Sequence, residues 1–248
     1  MSLILETRGL TKRFGGLTAV DRIDFGLAAG ELRAIIGPNG AGKTTFFNVV
    51  SGFLPPTSGE VYFQGRRITA QAPHRINQIG IARTLQVKSV FNSLTVEENV
   101  WVAAQSREPI QRPFRQAMRS SGVRARVEHL LRLLGLDGHR NTTAGNLAYG
   151  DLCLLEIAMA LGTEPKLLLL DEPTAGMSAA ETAGTAEIIR ALAKDVSIIL
   201  VEHDMEFVLN LATTISVFHL GRLIAEGTPA EIVRNSLVQE AYLGAEHA

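Results

Sequence analysis

The densest group of residues able to do chemistry is the run Gly37-Pro38-Asn39-Gly40-Ala41-Gly42-Lys43-Thr44-Thr45, which satisfies the spacing GxxxxGK[ST]. It stands directly after the apolar LRAIIG and directly before the helical pattern FFNVV. In that setting the glycines let the backbone curl until successive N–H groups face a chain of phosphates, and the following helix points its positive end at the same anions. Lys43 is expected to reach the β- and γ-phosphates of a nucleoside triphosphate, and the Thr44 hydroxyl to ligate Mg²⁺. A glycine-rich turn with an accidental lysine would need neither the strand before it nor the helix after it.

A second group ends the apolar run Leu167-Leu168-Leu169-Leu170 on two adjacent acids, Asp171 and Glu172. Side chains alternate along a strand, so neighbouring acids at its end can take different tasks. Asp171 is expected to hold the Mg²⁺ shell and Glu172 to polarise the attacking water. His203 closes another apolar run, VSIILVEH, and is expected at the same sheet edge, where ligands of open α/β sheets collect. A single histidine is more often structural, and only that position argues for a role. Gln86, at the end of IARTLQ, could contact Mg²⁺ or the water and report nucleotide state; its position alone leaves these open.

These residues need a scaffold that brings strand ends together. Short apolar runs bounded by turn residues alternate with helical patterns, which predicts an α/β protein with a largely buried parallel sheet; LRAIIG, LLLLD and VSIILVEH are its core strands. The opening segment and the stretch Gly59 to Ile68 alternate instead, and predict antiparallel strands beside the main sheet. Between about Val87 and Pro165 the pattern turns helical, with Leu130, Leu131, Leu133 and Leu134 before a Gly135 stop. The expected layout is one nucleotide-binding unit, residues 1–86 and 165–248, with an inserted helical lobe over 87–164. Near the end, Thr228, Pro229 and Glu231 form a helix-opening capping box.

Bulk properties narrow the function classes. A net charge of −1 over 248 residues argues against a dedicated nucleic-acid binder. The single cysteine, Cys153, lies in an apolar stretch and offers neither a disulfide framework nor a cysteine metal site, which points to a reducing compartment. The start MSLILETRGLTKRF carries charges and lacks a secretory pattern, so export is not expected. No apolar run approaches the roughly 20 residues that span a bilayer. Six arginines between Arg107 and Arg126, opposed only by Glu108, could face anionic headgroups or an acidic partner, or simply form a solvated basic face.

The order of motifs is itself specific. The phosphate loop, Gln86, the segment Leu147-Ala148-Tyr149-Gly150-Asp151 opening a helix, LLLLDEP and His203 together resemble the nucleotide-binding subunit of ABC transporters over essentially the whole chain. The resemblance implies a RecA-like phosphate-loop core, ATP and Mg²⁺ as ligands, and hydrolysis coupled to transport. It makes Glu172 the catalytic base, His203 the switch histidine and Gln86 a loop glutamine at the metal. Phe14, in KRFGG, falls where the family stacks an aromatic on adenine. Members work in pairs, each ATP lying between the phosphate loop of one copy and the signature segment of the other. Here that segment departs from Leu-Ser-Gly-Gly-Gln: Ala148 lacks the hydroxyl, Tyr149 replaces a glycine and Asp151 adds a charge expected to favour its own helix N-terminus. Ser178 stands where many members carry an Asp.

Finer features, namely LxYG in the signature, GIARTLQ, VEHDMEFV and the ending GTPAEIVRNSLVQEAYLG, are similar to the ATPase subunits of branched-chain amino acid importers, with urea and amide importers as near relatives. The implied partners are a second ATPase subunit, identical or paralogous, transmembrane permease subunits and, indirectly, a solute-binding protein, at the cytoplasmic face of the membrane. A non-transport ABC ATPase is the competing reading; such proteins usually carry two cassettes or a long coiled coil, and sustained heptads are absent here.

Overall fold

A computed structural model describes residues 3–84, 90–107 and 121–243. The strands in chain order are β1 (Leu3–Phe14), β2 (Leu17–Ala28), β3 (Leu32–Ile36), β4 (Ser58–Phe63), β5 (Arg66–Arg67), β6 (Ile81–Arg83), β7 (Leu167–Asp171), β8 (Ser197–Val201), β9 (Thr214–His219) and β10 (Arg222–Gly227). They form a four-stranded antiparallel sheet, β2-β1-β4-β5, and a six-stranded sheet ordered β10-β9-β3-β8-β7-β6. In the larger sheet β9, β3, β8, β7 and β6 run parallel, and only β10 is antiparallel. All residues of β3, β7 and β8 are buried, as covering both faces of a parallel sheet requires.

The helices are α1 (Lys43–Val50), α2 (Pro73–Ile79), α3 (Val96–Gln105), α4 (Ser121–Leu133), α5 (Tyr149–Gly162), α6 (Ala179–Leu192), α7 (Met205–Leu211), α8 (Pro229–Arg234) and α9 (Ser236–Leu243). Their ends follow local rules. Reciprocal capping boxes open α3 at Thr95 and Glu98, α6 at Ser178 and Glu181, and α8 at Thr228 and Glu231. Ser178 is therefore a helix cap in this chain.

Strand alternation divides the interior in two. Leu168, Leu170, Ile198 and Leu200 face a core shared with α3, α4, α5 and α6. Leu167, Leu169, Ile199 and Val201 face the opposite core, shared with α1 and the antiparallel sheet. There the Phe46 ring meets Phe25 and Phe218 edge-on, each at 5.3 Å between centroids. That contact fixes α1, and hence the loop before it, against both sheets. On the other side Arg107 donates to the backbone carbonyls of Asn77, Gln78 and Thr163, and so ties the end of α3 to the carboxyl ends of α2 and α5.

The arginine-rich stretch is thus engaged internally where it is described. Arg107 serves that clamp, Arg124 pairs with Glu128, and Arg126 reaches Glu164 and the Ala104 carbonyl. Arg112, Arg115 and Arg119 lie outside the described residues.

Candidate functional site

The order β3-β8-β7-β6 sets four parallel strand ends in a row, and each delivers one part of the site. Beyond β3 lies the phosphate loop. Gly37 has φ +152°, and a Cβ there would stand 2.1 Å from the Phe218 carbonyl oxygen; at Gly42, φ +100°, it would stand 2.3 Å from that of Ala19. Only glycine fits either place. Gly42 also caps α1, with no side-chain cap hydrogen bond and no acid in the first turn, so the N–H groups of that turn are suited to an anion.

Lys43 arches back over this loop and donates to the carbonyls of Gly37, at 2.5 Å, and Pro38, at 3.0 Å. Burial pushes its pKa down, while the nearby Glu172 and Asp171 hold it up. The β9–β10 turn supports the loop through the Gly221 N–H, which donates to the Ala41 carbonyl at 3.0 Å. From α9, half-buried Tyr242 reaches the Gly37 backbone; burial pushes its phenol up to about 12, opposed by that backbone hydrogen bond.

Asp171 ends β7 with its side chain fully buried, and its Oδ2 accepts from Arg83 Nη2 at 2.8 Å. Its other oxygen, Oδ1, is buried without a hydrogen-bond partner among the described residues. Burial raises the carboxyl pKa, and the Arg83 and Lys43 charges partly offset this. A buried oxygen left over beside a lysine and a phosphate loop suits an incoming cation, and the oxygen set of Thr44 and Asp171 has the hardness Mg²⁺ prefers.

Glu172 follows in the left-handed region at φ +50°, a conformation a non-glycine residue holds only when its surroundings impose it. What imposes it is the adjacent strand: the Glu172 N–H donates to the Val201 carbonyl at 2.9 Å. The turn places Glu172 Oε1 at 4.0 Å from Nδ1 of His203, an exposed residue just beyond β8. The histidine expected from its strand position thus stands beside the acid pair.

Phe14 is exposed at the end of β1, with the Lys12 ammonium 5.2 Å from its ring centroid, so it is free of the core. Gln86 lies outside the described residues. The segment Leu147 to Asp151 opens α5: Ala148 is the cap without a side-chain hydrogen bond, Tyr149 is exposed, and Asp151 occupies the first turn. Asp151 also lies 3.6 Å from Nε2 of His139. Gly150 packs so closely on Glu181 that a Cβ there would stand 2.8 Å from Oε1.

Two site residues escaped the sequence reading. Arg83, inside GIARTLQ, is a charged residue ending the edge strand β6; it donates to Asn48 at 2.7 Å and Ser51 at 3.1 Å as well as to Asp171. Glu202, inside VEHD, is wholly buried and bonds to Thr174 and His203. A charge at the end of an apolar run was the available signal for both.

Comparison with known proteins agrees along the chain. The ABC transporter family model matches residues 20–175, and a model described as branched-chain amino acid ATP-binding cassette transporter matches residues 222–248. The high-affinity branched-chain amino acid transport ATP-binding protein LivG of Salmonella typhimurium is 40% identical, over 97% of this chain and 98% of that protein. Its counterpart BraF of Pseudomonas aeruginosa is 38% identical, over 97% and 98%. Among solved structures, a nucleotide-free ATP-binding cassette from an ABC transporter has a TM-score of 0.84 at 31% identity, covering 97% of this chain and 98% of that one. The ADP conformation of an ATP-binding cassette of an ABC transporter has a TM-score of 0.84 at 30% identity, covering 98% and 100%.

Proposed function

The chain belongs to the ABC transporter family of ATPases, and on that premise we propose that it powers an importer of branched-chain amino acids from the cytoplasmic face of the membrane. The observation carrying the catalytic part is the gathering of Lys43, the unpartnered Asp171 oxygen, Glu172 and His203 at the carboxyl ends of neighbouring strands, beside a glycine loop whose backbone admits no side chain at Gly37 or Gly42. The substrate class rests on the names of the relatives, because none of these residues would touch the transported molecule.

Each residue has a separable task. The first-turn N–H groups of α1 and the Lys43 ammonium bind the phosphates, and Thr44 and Asp171 would hold Mg²⁺. The metal supplies neutralisation of phosphate oxygens. Glu172 accepts the proton of the attacking water, and His203 orients the reacting groups beside it. Phe14 offers its open face to adenine. Gln86 keeps its proposed place at the metal and at the entrance to the lobe 87–164.

The proposed active unit contains two ATPase subunits, identical or paralogous, with Leu147, Ala148, Tyr149, Gly150 and Asp151 of one closing on the nucleotide of the other. Ala148 has no hydroxyl to offer, so backbone N–H groups and the dipole of α5 would carry that contact. Permease subunits would provide the membrane attachment and a solute-binding protein the delivery; among the described residues no helix is long and apolar enough to cross a membrane.

Two measurements test the proposal. Glu172→Gln should cut turnover more than about tenfold, roughly 1.4 kcal/mol, with ATP affinity preserved, and a smaller loss would remove Glu172 from its role. Cells lacking this chain should lose uptake of leucine, isoleucine and valine. Loss of urea or amide uptake instead would overturn the substrate class, and unchanged uptake of all of them the importer reading.

A further inference from the structure

Glu202 is a burden the fold does not require. Its side chain is fully buried, and its charge contributes to raising the pKa of neighbouring Asp171. Among the described residues no lysine or arginine forms an ion pair with it; the one basic group within reach is Nδ1 of His203, at 3.5 Å. A buried acid persists only where its oxygens are satisfied by hydrogen bonds, and the partners of Glu202 come from two separate segments. Oε1 accepts from the N–H of Thr174, at 3.1 Å, and from the Thr174 hydroxyl. Oε2 accepts from the His203 N–H at 3.0 Å.

Thr174 lies two residues beyond Glu172. The segment carrying Glu172 is therefore tied to the end of β8 twice, by the Glu172 N–H on the Val201 carbonyl at 2.9 Å and by Thr174 on Glu202. The first tie is backbone only and would survive any side-chain change. The second depends on Glu202, and the same carboxyl group also fixes the main chain at His203.

We infer that Glu202 is a positioning residue which, through Thr174 and the His203 backbone, holds the Glu172 carboxyl and the His203 imidazole in register as one unit. The inference rests on the roles proposed above for Glu172 and His203. Glu202 meets no phosphate-loop residue through any described hydrogen bond or ion pair, so nucleotide binding should not depend on it. What depends on it is the geometry in which the proton acceptor meets the water, and such geometry acts on turnover rather than on ground-state binding.

Two substitutions separate the halves of the tie. Glu202→Gln preserves volume and can still accept from Thr174, but it then presents an amide N–H₂ to the His203 N–H. Thr174→Val removes only the hydroxyl from the other half. With the ATPase purified together with its permease partners, Glu202→Gln should lower kcat about 10- to 100-fold, equivalent to about 1.4 to 2.7 kcal/mol at ~1.36 kcal/mol per tenfold, with KM for ATP within about twofold of wild type. Thr174→Val should lower kcat by a smaller factor, again without moving KM. The double variant should be less impaired than the product of the two single effects, because both changes break one tie.

Glu172→Gln, run alongside, separates two failures. If it keeps wild-type turnover, the proposed roles at the site are wrong. If it abolishes turnover while Glu202→Gln stays within about twofold of wild-type kcat, the positioning role is wrong. A Glu202→Gln protein that loses nucleotide affinity together with kcat also overturns it, since that marks general loosening. Should that variant not fold, Thr174→Val decides alone: reduced kcat at unchanged KM supports the tie, and wild-type kcat overturns it.

Discussion

Replacing Arg83 with methionine tests how the strand end before Gln86 is bound to the acid expected at the metal. The guanidinium and the Asp171 carboxyl are both buried and meet at 2.8 Å, and Arg83 also donates to Asn48 and Ser51 in and beyond α1. Methionine fills much of the stem volume beside Phe47 and Phe53, so packing changes little. What is lost is the only ion-pair partner of Asp171 among the described residues. Breaking one side of a buried pair costs about 3 to 5 kcal/mol. At about 2 to 4 °C per kcal/mol for a chain of this size, Tm should fall by roughly 6 to 20 °C.

The pH dependence has a definite sign. Burial already raises the Asp171 pKa in the folded state, so its contribution to stability is fully present below the ordinary carboxyl value and is lost as pH rises through the raised folded value. Removing Arg83 removes a lowering influence and pushes that value higher. The deficit of Arg83→Met should therefore be small at acid pH, where Asp171 is protonated in either protein, and grow as pH rises through the raised value. Adding Asp171→Asn should recover part of it, since no charge is then stranded. Nucleotide-free thermal unfolding at an acid pH below the ordinary carboxyl value and at a mildly alkaline pH measures all three proteins. An Arg83→Met protein melting within about 2 °C of wild type at both would refute this account of the pair.

Three other perturbations probe separate links. Lys43→Ala removes charge-assisted hydrogen bonds worth about 1.5 to 3 kcal/mol, so ATP affinity measured by calorimetry should weaken about 10- to 150-fold; an unchanged affinity would mean that Lys43 does not reach the phosphates. Gly150→Asp sets a carboxyl against Glu181 and pulls it from the Ser178 cap, so about 0.5 to 2 kcal/mol of stability should go together with pairing and hydrolysis, while each copy still binds ATP. Wild-type turnover in that protein would remove the signature segment from the reaction. Phe46→Ala opens a cavity between Phe25 and Phe218 and should cost about 3 to 5 kcal/mol in urea unfolding; a loss below about 1 kcal/mol would show that α1 is held by other contacts.

Whatever is encoded by neighbours in the chain was legible in the sequence. The nine residues Gly37 to Thr45 carry their own turn geometry, and the capping box at Thr228 and Glu231 needs only its own turn of helix. The strands LRAII, LLLLD and SIILV announced themselves because burial on both faces demands apolar residues throughout. Those signals placed Lys43, Asp171, Glu172 and His203 at strand or helix ends and gave the first three their expected tasks; the family resemblance added the switch role of His203.

The strand order that sets those ends side by side was decided only in three dimensions: β3 and β8 are neighbours in the sheet although four strands separate them in the chain, and β6 and β7, consecutive as strands, are joined only through the long helical stretch between them. The ties across that order were equally hidden. Arg83 and Asp171 are 88 positions apart, and Thr174 and Glu202 are 28 apart, so no periodicity or local propensity links them. A charged residue at the end of an apolar run shows in sequence that something must pay for its burial. Which group satisfies it depends on which strand lies alongside, and that is settled by the packing of the whole sheet against α1 on one face and the helices α3 to α6 on the other.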